Sequence, residues 1–148
     1  MAKEIERKFL VLNDSYKESA SSRSEIAQGY LSAYPHPTVR VRIRDRRGFL
    51  TVKSRNHGAT RDEWEYEIPY DDALGMLELC DPASIIRKTR YIVGAWEIDE
   101  FDGRHKGLTL AEIELRSEDE SFELPDFIGE EVTGNPKYYN SSLASAQL

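Results

Sequence analysis

The residues of this chain that could do chemistry stand in rows of like charge at alternate positions. EIERK carries Glu4, Glu6 and Lys8, RVRIR carries Arg40, Arg42 and Arg44, and EWEYE carries Glu63, Glu65 and Glu67. Lys53 with Arg55, Lys88 with Arg90, Glu97 with Asp99, and Glu112 with Glu114 repeat the pattern. Clustered carboxylates without Cys or His partners are ligands for hard cations, Mg2+ or Mn2+, and not for zinc. Rows of Arg and Lys suit multiply charged phosphate oxygens, Arg offering a two-pronged fork. Together they describe a site for a metal-bound polyphosphate, with acids on one wall and bases on the other.

Strands are the elements that can hold such rows. Along an extended strand alternate side chains share one face, ~6.7 Å apart. The apolar residues fill the intervening positions, as with Val39, Val41 and Ile43 between the arginines, or Trp64, Tyr66 and Ile68 between the glutamates. Strands are expected at EIERKFLV, IAQGYLSAY, TVRVRIR, FLTVKSR, RDEWEYEI, SIIRKTRYIV, AWEIDEF and LAEIEL, with EEVT as a last short one. DRRG and Gly94-Ala95 read as hairpin turns, NHGAT as a loop, and Pro35 to Pro37 as a strand-ending break. SYKESASSRSE is expected to be a loop or a short helix. One clear helix is expected, with Ala73, Leu74, Met76, Leu77 and Cys80 at helical spacing. Asp71 or Asp72 would cap it and Asp81-Pro82 would close it. A small C-terminal helix follows Tyr138-Tyr139, capped by Asn140 or Ser141.

A solvated face is the ordinary reading of any one such strand, because antiparallel sheets commonly show water one side. The sorting of sign by strand points elsewhere. Like charges two apart gain nothing from each other, so each row needs a partner. The charged faces hold nine acids (Glu4, Glu6, Glu63, Glu65, Glu67, Glu97, Asp99, Glu112, Glu114) and nine bases (Lys8, Arg40, Arg42, Arg44, Lys53, Arg55, Arg61, Lys88, Arg90). The faces balance, and the formal net charge of −7 lies elsewhere. A balanced, sorted face suggests enclosure, where charges must be paired or bound. About eight antiparallel strands suit a closed barrel. The expected fold is therefore mainly β with a few short helices: an eight-stranded antiparallel barrel with a charged lumen and an apolar outer face covered by the helix and the terminal segments. Glu4, Glu6 and Lys8 would then face inward. Ile86 shares the face of Lys88, which implies that this strand begins outside the polar lumen.

Length and composition fit one domain over residues 1–148, with 39% hydrophobic and 32% charged residues. The acidic balance argues against a nucleic-acid or anionic-membrane binder, while a small anion could still meet locally concentrated bases. The single cysteine, Cys80, rules out an internal disulfide and fits a reducing cytoplasm. The charged start MAKEIERK has no apolar signal region, and no apolar run approaches membrane-spanning length. GxxxxGK[ST] is absent, as is GxGxxG after a strand, so a Walker or Rossmann turn does not hold the phosphates. His36, His57 and His105 fall in turn-rich segments and are expected to have no ligand or catalytic role.

The ordered set EIERK, RVRIR, Lys53, EWEYE, KTR, WEIDE and AEIEL resembles the CYTH superfamily, the triphosphate tunnel metalloenzymes, and most of all its small bacterial inorganic triphosphatases. The resemblance runs from Glu4 to about Asn140. It implies an eight-stranded tunnel and Mg2+- or Mn2+-dependent hydrolysis of tripolyphosphate or another triphosphate, with two ions. Carried over by motif, Glu4, Glu6, Glu112 and Glu114 would supply most metal ligands, with Asp99 a further one. Lys8, Arg40, Arg42, Lys53, Lys88 and Arg90 would bind the triphosphate, and inward-facing Tyr30 is a gate, a substrate contact or a packed ring. Glu63 or Glu65, or Lys8 if its pKa is lowered, would orient or deprotonate water, and the sequence leaves that choice open. The same scaffold also implies a class IV-type adenylyl cyclase or a thiamine triphosphatase as alternatives. A non-catalytic polyphosphate-binding module is a third. Family members often form dimers, although nothing in the chain identifies an interface.

Overall fold

Alternating residues pair into nine strands in the computed structural model, which describes residues 2–33, 36–55 and 57–145. They are β1 (Ala2–Val11), β2 (Ser22–Ser32), β3 (Thr38–Arg44), β4 (Arg47–Lys53), β5 (Thr60–Ile68), β6 (Ile86–Val93), β7 (Trp96–Phe101), β8 (Thr109–Glu114) and β9 (Ile128–Glu131). Hydrogen bonding runs β5-β4-β3-β2-β6-β7-β8-β1, and β1 returns to β5. Every pairing is antiparallel, so eight strands close into a barrel and β9 is an addition beside β1. The closing seam is short: Ala2 to Ile5 face Glu63 to Thr60, after which β1 pairs with β9 instead.

Local chemistry sets the turns. Asp45 takes a left-handed φ of 57° between β3 and β4, and its carboxylate accepts the Glu25 N–H at 3.0 Å. Gly94 supplies a φ of 58° at the start of the two-residue β6–β7 turn, as the Gly-Ala pair led one to expect. Among the described residues the α-helices are α1 (Tyr16–Ser19), α2 (Tyr70–Leu77) and α3 (Asn140–Ser145).

Several element boundaries depart from the sequence expectations. β2 begins at Ser22, because Ser22 to Gln28 pair with Ile92 to Ile86 of β6; a paired edge recruits polar residues that show no apolar period. The helix α2 starts after Pro69, and Asp71 and Asp72 lie in its first turn without capping it. There they complement the helix dipole. Cys80 follows the helix end and is buried, as expected of an inert thiol. Strand β9 begins at Ile128, two residues before the expected EEVT segment. Tyr34 at the end of IAQGYLSAY, Pro35 of the expected break and Asn56 of the expected loop lie outside the described residues.

The apolar faces point outward and are covered there. On one side Val41 and Ile43 pack against Ala73 and Leu77 of α2 and against Cys80. Gly48 and Gly29 permit that contact. A Cβ on Gly48 would stand 2.6 Å from that of Ala73, and one on Gly29 would stand 2.7 Å from Cys80 Sγ. On the other side Phe9, Trp96, Ile98, Ala111 and Ile113 pack with Tyr16 of α1, Phe127 and Ile128. A third cluster lies at one end of the lumen: Ile86, Phe101 and Leu110 meet Leu143 of α3, flanked by Leu10, Tyr30 and Tyr138. These strand positions share the parity of Lys88, Asp99, Glu112 and Lys8, so the charged interior ends on an apolar floor. The expectation drawn from Ile86 agrees with that floor.

Candidate active site

Around the ring, sign is sorted by half. Four consecutive strands, β7, β8, β1 and β5, direct Glu97, Asp99, Glu112, Glu114, Glu4, Glu6, Glu63 and Glu65 to the interior. The other four, β6, β2, β3 and β4, direct Lys88, Arg90, Arg40, Arg42 and Lys53 to it, with uncharged Gln28 and Tyr30 on β2. Lys8 and Arg61 are the bases on the acidic side. The cavity between has a volume of about 170 Å3. Its lining includes Glu4, Glu6, Lys8, Tyr30, Arg40, Arg42, Lys53, Glu63, Glu65, Arg90, Glu112 and Glu114. The rows thus face one another in an enclosed space.

Lys88 and Asp99 lie deeper, outside that lining. Lys88 Nζ sits 2.7 Å from Asp99 Oδ2 and donates to Asn140 Oδ1 at 2.9 Å. Burial alone would raise the Asp99 carboxyl, but Arg90 and Lys88 outweigh it and hold it well below the usual carboxylate range. Both its oxygens are engaged by cations, so Asp99 anchors Arg90 and Lys88.

The acids nearer the mouth are crowded. Burial would raise Glu4, but the hydrogen bond from Glu63 and the charges of Lys53 and Arg61 bring it down to about 2. Lys53 Nζ lies 3.0 Å from Glu4 and 3.3 Å from Glu63. Burial, then the bond to Glu4, pushes Glu63 up to about 7. Burial and the neighbouring Glu112 and Glu4 charges push Glu6 well above the carboxylate range. Glu112 stays well below it, because Lys8 at 3.4 Å and the Glu6 hydrogen bond outweigh burial. In each of two acidic pairs, Glu4 with Glu63 and Glu6 with Glu112, one carboxyl is thus raised and the other lowered. Among the described residues no three such side chains already converge on a point that could hold a metal. The donor set nonetheless fits a hard divalent cation: it is all oxygen, and like charges that otherwise need protons are relieved by a metal. Binding would exchange lysine partners of Glu4 and Glu112 for the ion.

The bases differ in their pairing. Arg40 reaches Glu65 at 3.5 Å and Thr51 at 3.2 Å, and Arg90 also reaches Glu97 at 3.1 Å. Burial would lower Lys8, but Glu112 and Glu6 raise it above the ordinary lysine value, which suits a cation and not a base. Arg42 has no ion pair among the described residues and is held by Gln28 alone. Burial, then the charges of Arg40 and Arg90, pulls its pKa down to about 9.

Other members of the alternating rows have local partners. Arg44 stacks 4.7 Å from the Phe49 ring, and Arg61 bonds Glu4 at 3.3 Å. Glu67 turns instead to Arg47 on the surface. Thr133, Gly134, Tyr139 and Asn140 also line the cavity, and Lys8 Nζ donates to the Tyr138 carbonyl at 3.0 Å. They lie off the barrel strands, so no period could mark them. His105 contacts the Leu143 carbonyl at 2.7 Å, a structural tie to α3.

The sequence pattern of the CYTH domain matches residues 2–146. An inorganic triphosphatase from Acetivibrio thermocellus is 46% identical over 147 residues, spanning 97% of this chain and 94% of that protein. One from Nitrosomonas europaea is 35% identical over 153 residues, spanning 95% and 96%. The crystal structure of the inorganic triphosphatase NE1496 superposes with a TM-score of 0.68 at 33% identity, covering 97% of this chain and 99% of that one.

Proposed function

The chain belongs to the CYTH domain family, and from that premise we propose that it hydrolyses inorganic tripolyphosphate or a closely related triphosphate, at a terminal phosphoryl group, inside the barrel. The observation that carries the reading is the facing of an acidic half-ring and a basic half-ring across one enclosed cavity. Curated relatives named inorganic triphosphatase support it.

In this reading Arg40, Arg42, Arg90, Lys53 and Lys8 bind the phosphate oxygens and neutralise charge on the transferred phosphoryl and the departing diphosphate. Lys88 and Asp99 hold Arg90 in place from below. Glu4, Glu6, Glu112 and Glu114 would hold Mg2+ or Mn2+, one ion or two. A divalent cation held there would supply positive charge to the phosphates and acidify water. Glu63 is the carboxyl best suited to accept a proton from that water, because burial and Glu4 raise its pKa to about 7, near neutrality. Glu65, tied to Thr51 at 2.8 Å, positions Arg40. The buried thiol of Cys80 suits a reducing compartment, and among the described residues no helix is long and apolar enough to cross a membrane.

Purified protein incubated with tripolyphosphate, ATP or thiamine triphosphate, each with Mg2+ or Mn2+, tests the reading. Orthophosphate released fastest from tripolyphosphate is the expected result. Cyclic AMP as main product would replace the reading with a cyclase, and tight binding without turnover under either metal would replace it with a binding module.

A further inference from the structure

Gln28 lies on β2 directly beneath the cavity, wholly buried and not part of its lining. It touches two residues that are. Arg42 Nε donates to Gln28 Oε1 at 2.8 Å, and Gln28 Nε2 donates to the Tyr30 hydroxyl oxygen at 3.1 Å. The direction of this chain is forced. A guanidinium N–H can only donate, so the amide must present its oxygen to Arg42 and its nitrogen to Tyr30. The Tyr30 oxygen then accepts, and its one proton is left for another acceptor. Both ends of the chain line the cavity and keep donor hydrogens that Gln28 does not use.

The amide has a second property. Arg40, Arg90, Lys8, Lys53 and Lys88 each have a carboxylate within ion-pair distance, whereas Arg42 has none among the described residues. A buried charge without a counter-ion is costly unless something else supplies one. A glutamate at position 28 would neutralise Arg42; a glutamine fixes it and leaves its charge whole.

We infer that Gln28 is a positioning residue that orients the Arg42 guanidinium and the Tyr30 hydroxyl proton as joint donors to one anionic phosphoryl group of the substrate. The inference rests on the triphosphate reading above. Gln28 itself touches no reacting atom. Its part is to keep Arg42 unneutralised and to turn the Tyr30 proton inward.

The test is Gln28→Glu, a change of one atom. The new carboxylate would pair with Arg42 and take the Tyr30 proton, withdrawing both donors at once. The variant is expected to melt at or above the wild-type temperature. Its KM for tripolyphosphate should rise about tenfold or more, with a smaller change in kcat. Calorimetric binding of tripolyphosphate without added metal should weaken in parallel. Tyr30→Phe should weaken that binding in the wild-type background and have no further effect beside Gln28→Glu. If Gln28→Glu does not fold, Gln28→Met keeps the shape, removes the acceptor, and is expected to give the same KM rise and loss of coupling to Tyr30. Unchanged binding per folded molecule, additive effects with Tyr30→Phe, or failure of both variants to fold would each assign Gln28 a purely structural role and overturn the inference. Wild-type protein that neither binds nor cleaves tripolyphosphate would overturn the functional reading itself. A wild-type enzyme that cleaves it beside an equally competent Gln28→Glu variant overturns the inference alone.

Discussion

Arg90 grips Asp99 through two hydrogen bonds, Nε to Oδ1 at 2.8 Å and Nη2 to Oδ2 at 2.9 Å. Lys88 shares the same carboxylate from its other side. One buried anion therefore serves two buried cations. Asp99→Asn would leave Lys88 without a counter-charge and Arg90 with the half-exposed Glu97 alone, and a loss of about 3–5 kcal/mol in urea denaturation is expected. Added tripolyphosphate should recover part of that loss, since it brings anionic charge to the folded protein alone.

The surplus cation of this trio gives a pH signature. Burial, with Arg90 and Arg42, outweighs Asp99 and pulls the Lys88 ammonium down to about 7. Between that value and the ordinary lysine range the unfolded chain holds a proton that the folded one does not. Stability of the ligand-free protein should accordingly rise with pH across that window, by up to ~1.4 kcal/mol per pH unit for each such proton. Lys53, lowered by burial and by Arg40, adds in the same sense. Lys88→Met should flatten the slope, read as urea midpoints at about pH 6, 8 and 9.5.

Glu6 should behave in the opposite way. Burial and its acidic neighbours raise its folded pKa, so its contribution is full below the unfolded value and is lost as pH rises through the folded one. Glu6→Gln keeps the shape and removes the repulsion. The ligand-free variant should be more stable than wild type at about pH 8, by ~1 kcal/mol or more. Its metal-dependent turnover should nonetheless fall at least about tenfold. Thermal melts and phosphate release on the same samples would show the two effects together.

Glu63→Gln separates proton transfer from binding. A fall of about a hundredfold in kcat is expected, with KM near wild type. The acidic limb of the pH–rate profile, set by a group titrating at about 7, should disappear. A KM effect without a kcat effect would move Glu63 from the base to the binding set.

Gly48→Ala acts on the scaffold instead. Its added Cβ would press 2.6 Å against that of Ala73 and force α2 off the barrel. A cost of ~1–3 kcal/mol is expected, with kcat/KM unchanged well below the melting temperature.

Much of this architecture was legible because charge and apolarity alternate with strict period along RVRIR, EWEYE and AEIEL. That period alone puts Glu4, Arg42 and Glu112 on one enclosed face. The Ser22–Glu25 segment escaped notice because it joins β2 through its neighbour β6 and not through any apolar rhythm of its own. Asp99 followed the alternation onto the inner face, yet depth within the barrel, which no parity encodes, made it an anchor. Thr133 and Tyr139 come from irregular chain after β9 and Asn140 from the start of α3, so only tertiary structure brings them to the cavity. Gln28 faced inward by parity, but its hydrogen-bond partners come from its neighbour two residues along and from an adjoining strand.

The apolar floor of Ile86, Phe101, Leu110 and Leu143 has a kinetic corollary. Among the described residues this layer offers phosphate no polar path, so what enters the barrel leaves by the side it entered. A departing diphosphate and an arriving triphosphate then compete for one corridor.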